Sequence, residues 1–128
     1  MKNREARRIR YLGFDRPHQL GNLASELARI RRSLWAGDEA DSEVAISSVE
    51  TCQYFTEWTI TTLNPMQSES DLRLAEELLR LGRQLTGWKH HWDSVWHDEN
   101  KRLEVATIVE QWSGNLLEQS GLLQPEQS

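Results

Sequence analysis

One cysteine, three prolines and seven glycines stand in the 128 residues, and each scarcity removes a class of fold. With Cys52 alone, no disulfide can close within the chain, and a reducing cytoplasm is the expected setting. So few prolines and glycines argue against short strands joined by tight turns and favour long helices. No run approaches the roughly 18 apolar residues that a membrane helix needs. The first ten residues, Met1 to Arg10, are basic but carry no apolar segment behind them, so they do not read as a secretory signal. Hydrophobic residues make up only 38% of the chain; the core is expected to be narrow or supplemented by self-association.

Chemical motifs are missing as well. There is no glycine-rich phosphate loop, no Gly-x-Ser-x-Gly elbow and no paired-cysteine metal motif. Two-metal carboxylate bundles need Glu-x-x-His pairs, and none occurs here. No motif is specific enough to name a family. The sequence leans away from an enzyme, and no cofactor is expected.

What the chain does have is helical periodicity. Leu74, Leu78, Leu81, Leu85, Trp88, Trp92 and Val95 recur at alternating spacings of four and three, the seam of a helix packed lengthwise in a bundle. The spacing runs through Gly87 without a skip and predicts one helix over 70–97. Leu20, Leu23, Leu27, Ile30 and Leu34 predict a helix over 17–36, started by Asp15 and Pro17 and ended by Gly37. Thr51 to Thr62 is rich in β-branched and aromatic residues and could pass for a strand. A lone strand would have no partner, and Ala45, Val49, Cys52, Thr56, Ile60 and Leu63 form a helical stripe, so a helix over 41–63 is expected. A fourth helix over 101–120 follows a turn at 98–100. All connections are short, which makes consecutive helices antiparallel neighbours. The expected fold is therefore all-α: an up-down-up-down four-helix bundle over 17–120, with a basic N-terminal arm over 1–16 and a polar tail over 121–128.

Charge is unevenly placed. Residues 1–32 hold nine Lys/Arg against three Asp/Glu, a net +6, and the remainder nets −11. Such a split can mark an arm for an acidic partner. Nucleic acid is disfavoured, because the acidic body would repel a phosphate backbone.

Three sets of residues compete for a functional role. Val44, Phe55 and Trp58 lie on the side of the second helix away from its main stripe, and an apolar face there needs a cover. Either Tyr11 to Phe14 folds back over it or a second protomer does; the low apolar content favours the protomer. This makes the leading reading a non-catalytic interaction module, a homodimer or the binder of another protein, with no membrane contact. Trp35, His91, Trp92 and Trp96 gather at one end of the expected bundle and could wall a small-molecule site. His90, Asp93 and His97 occupy adjacent turns of an outer face, a plausible but unspecific metal spacing. Cys52 falls on a buried stripe, where it acts as a small hydrophobe.

Overall fold

The structure, a computed structural model, describes residues 3–121. The described residues form six helices and no strand: α1 Arg4–Leu12, α2 Arg16–Ala36, α3 Glu39–Ile60, α4 Glu69–His90, α5 Trp92–His97 and α6 Glu99–Ser120. No helix among them is long and apolar enough to cross a membrane. The polar tail expected over 121–128 lies outside the described residues from position 122 onward.

Local chemistry sets the helix ends. The Asp15 carboxylate accepts the His18 backbone N–H and Pro17 occupies the first turn of α2, so a donor that the helix leaves orphaned is satisfied. Gly37 ends α2 at φ 70°, the left-handed region that glycine enters without a Cβ penalty. Ser68 caps α4 through the Asp71 N–H, and Asp98 caps α6 through the Lys101 N–H. α3 stops at Ile60 rather than continuing to 63. The Thr61 and Thr62 hydroxyls donate to the Trp58 and Thr59 carbonyls, closing the last turn from within. Two threonines inside α3, Thr51 and Thr59, donate to the carbonyls four residues back, so their hydroxyls are satisfied within the helix.

Two differences raise the helix count from the expected four to six. The arm is itself a helix, α1. The helix expected over 70–97 breaks at His91, which has φ −108° and ψ 32° and separates α4 from α5. A straight helix would keep Trp88, Trp92 and Val95 on one seam. Beyond the break Val95 and its neighbour Trp96 are both buried, while Trp92 is half-buried. The turn expected at 98–100 reduces to Asp98 alone.

α2 packs against both α3 and α6, and α3 against α4. Leu23, Leu27, Ile30 and Leu34 of α2 meet Val49 and Cys52 of α3, Leu78, Leu81 and Leu85 of α4, and Val109 and Leu116 of α6 in one core without solvent exposure. Polar ties fix the pairings. Ser113 Oγ donates to the Ala24 carbonyl, joining α6 to α2. Lys89 meets Glu50 at 3.1 Å and Gln53 Nε2 donates to Thr86 Oγ1 at 3.1 Å, so α3 and α4 run antiparallel. Trp112 and Gln84, with Gln119 and Glu77, join α6 to α4.

Gly37 and Gly87 predict opposite outcomes. A Cβ at Gly87 meets nothing within 4 Å, so Gly87→Ala in this helix interior should be neutral or stabilising by up to ~1 kcal/mol. A Cβ at Gly37 would stand 2.8 Å from the Arg102 guanidinium as well as straining the backbone, so Gly37→Ala should destabilise by more than about 1 kcal/mol. Urea denaturation of the two variants checks both signs. In the same assay Leu81→Ala should cost about 2–5 kcal/mol, since Leu81 is fully buried.

Candidate functional site

Phe55 and Trp58 are covered, and the cover belongs to the same chain. Tyr11 of α1 stacks on Phe55 with ring centroids 4.3 Å apart and tilts against Trp58 at 5.8 Å. Its hydroxyl donates to the Gln19 carbonyl at 2.9 Å and lies 2.7 Å from Thr59 Oγ1. Gln19 returns the tie, its amide donating to the Tyr11 and Phe14 carbonyls. Trp58 is left 8% exposed, with Tyr54 stacked on its outer side at 5.6 Å. The second protomer favoured for this face is not needed to cover it. Apolar content misled here, because one tyrosine seals the face with both its ring and its hydroxyl. Val44 stays apart from this cluster and is 47% exposed.

The tryptophan end is a packed stack rather than a walled pocket. Trp96 is buried, Trp92 stacks on it at 5.7 Å, and the Trp92 indole N–H donates to Ser42 Oγ. Arg102 closes the stack from the other side. Its guanidinium lies over the Trp96 ring and donates to the Leu34 and Trp96 carbonyls, both at 3.0 Å. Trp35 stands outside, 51% exposed, and His91 is exposed with its ring edge against His90. A hollow on the outside of the helix break is lined by His91 and Trp92, but Trp35 and Trp96 are not among its walls.

His90, Asp93 and His97 are not gathered either. His97 reaches the Asp93 backbone carbonyl through Nδ1 and Glu39 through Nε2, the latter at 3.8 Å. The break at His91 separates His90 from the turn that bears the other two. Among the described residues no group of three or more His, Cys, Asp or Glu is placed to hold a metal ion. Cys52 is fully buried, and burial with the nearby Glu26 charge pushes its thiol well above the usual range. It stays protonated and unreactive.

A groove of about 700 Å³ lies between α3 and α4. Gly82 narrows the spacing there, its Cα side facing the Thr56 methyl. The two cross-groove ties set the register, which places Ile60 level with Leu79 and Glu57 level with Gly82, one residue from Arg83. Leu79 is 52% exposed on one wall, and Leu72, one heptad earlier on the same face, is also exposed. The α3 wall carries Glu50 and Glu57, and the α4 wall Arg83 and Lys89. Glu50 and Lys89 already pair; Glu57 and Arg83 have no ion-pair partner among the described residues. At the floor, the buried Thr56 hydroxyl has no hydrogen-bond partner among the described residues. Sequence reasoning missed this groove, although Leu72 and Leu79, seven residues apart and off the main seam, were its visible signal.

Comparison with protein-family models, with curated proteins and with solved structures finds no match to this chain.

The cover over α3 makes a direct prediction. Tyr11→Phe keeps the ring and removes the hydroxyl that serves Gln19 and Thr59, and should cost about 1–2 kcal/mol. Tyr11→Ala, which also opens the Phe55 and Trp58 faces, should cost about 3–5 kcal/mol and red-shift the tryptophan emission. Thermal melts and fluorescence spectra of the two variants separate ring from hydroxyl.

Proposed function

We propose that this protein is a non-catalytic, cytoplasmic interaction module that self-associates through the α3–α4 groove, its four long helices serving as an up-down-up-down bundle. The single observation that carries the reading is the self-complementary charge of the groove walls. A two-fold axis parallel to the helices sets α3 of one copy against α4 of the other without changing the level of any residue. Glu57 then faces Arg83 of the second copy, and the reverse pair forms by the same symmetry, as an isologous contact requires. The exposed Leu79 side chain fills the space between these ridges, with Leu72 exposed beyond the end of α3. Exposed apolar surface of this kind on a helix is typical of contact sites, and burying each leucine contributes roughly 1.5–3 kcal/mol.

This places the homodimer on a different face from Val44, Phe55 and Trp58, which α1 already occupies in part. It also accounts for a small apolar fraction: the groove wall becomes core only when two copies meet.

Light scattering at micromolar concentration should give twice the mass of one chain. Leu79→Glu should give a monomer with unchanged helical circular dichroism. Glu57→Arg should weaken association about tenfold or more, because like charges then oppose across both symmetry-related pairs. The double variant Glu57→Arg with Arg83→Glu should recover it. A parent protein that is monomeric at these concentrations, or a double variant no tighter than the single, refutes the arrangement.

A further inference from the structure

α1 has a second face that its packing leaves open. Between α1, α2 and α3 lies a pocket of about 280 Å³, walled by Arg7, Arg10, Phe14, Asn22 and Phe55 with Tyr11 beneath. Arg7 and Arg10 are one helical turn apart and project to the same side. Among the described residues neither guanidinium has a hydrogen-bond or ion-pair partner, and the Asn22 amide has none either. The acids closest in the chain are engaged elsewhere: Glu5 holds Arg8 at 2.7 Å, Asp15 meets His18 Nδ1 at 2.7 Å, and Glu26 lies 3.7 Å from Arg29. In a chain of net charge −5, two arginines left without acids beside two phenyl rings form a local positive well with apolar sides.

We propose that this pocket binds an aryl phosphate: a planar ring carrying a phosphate group. Each part of the pocket matches one part of that ligand. Guanidinium forks recognise phosphate oxygens in pairs, and two of them set a turn apart can bracket one dianion. Asn22 supplies a further donor. Phe14, which is 40% exposed, and Phe55 offer a ring edge and face for offset or edge-to-face contact. The volume is close to the lower end of small-molecule sites, which suits one ring and one phosphate and excludes a much larger ligand. The site is independent of the α3–α4 groove.

Trp58 lies 5.9 Å from Phe55 and reports occupancy through its fluorescence. Titration with phenyl phosphate should saturate below about 10 mM. Inorganic phosphate should bind at least about tenfold more weakly, and phenol should give no saturable change. Arg10→Ala removes an exposed side chain without a partner, so it should fold as the parent does and lose about tenfold or more in affinity. Arg8→Ala, which breaks only the exposed pair with Glu5, should bind as the parent. A phosphotyrosine-bearing peptide in a parallel titration distinguishes the source: equal affinity assigns a chain-borne aryl phosphate, and binding of phenyl phosphate alone assigns a free one. The proposal is overturned by no saturation with phenyl phosphate, by equal affinity for inorganic phosphate, or by an Arg10→Ala variant that binds as the parent.

Discussion

Arg102 closes one end of the molecule, and much of the architecture follows from what its guanidinium needs. The last carbonyls of a helix have no partner within it, and Arg102 donates to one near the end of α2 and one near the end of α5, drawing both helices onto α6. Its plane also lies over Trp96, a cation–π contact that gains strength as water is excluded. To reach all three, the side chain must pass where a Cβ at position 37 would stand, and so α2 ends in glycine. Trp96 must in turn face inward beside Val95. The chain breaks at His91 just before this pair, and both residues are buried beyond the break.

The sequence made the long helices legible because their signals are local. Asp15, Gly37, Ser68 and Gly121 act on backbone groups within a turn of themselves, and the leucine seam needs only a spacing count. The break at His91 was not legible, since nothing in Trp88 to His97 announces where the chain bends. The heptad spacing was itself misleading at this point, because it continues through the bend without a skip. α1 was half legible. Tyr11, Leu12 and Phe14 marked an anchor, but only the fold could show that the Tyr11 hydroxyl meets the Gln19 carbonyl and the Thr59 hydroxyl.

The candidate sites divide along the same line. Residue types rich in chemistry, the tryptophans and histidines of 88–97, drew attention and turned out to be packed, outward or dispersed. Leu72, Leu79, Glu57 and Arg83 are ordinary residues that become a surface only when α3 and α4 lie antiparallel in one register. Arg7 and Arg10 were counted within a basic arm; the property that distinguishes them from Arg8 and Arg29 is the lack of an acidic partner, which no composition records.

Both proposed sites meet at α3, and the contact between them is specific. Tyr54 lines the groove, stacks on Trp58 and accepts a hydrogen bond from Arg4 of α1, whose guanidinium also sits over its ring. Trp58 touches Tyr11 and Phe55, and Phe55 walls the arginine pocket. A continuous run of rings therefore joins the two surfaces through one helix. Such a run can couple them only if α1 has two positions that both sites discriminate, because coupling needs a difference in free energy between states and not mere adjacency. The Tyr11 hydroxyl bonds hold α1 in one position. With α1 held in a single position, a ligand on Arg7 and Arg10 leaves the groove wall at Tyr54 unchanged, and adjacency alone does not couple the two sites.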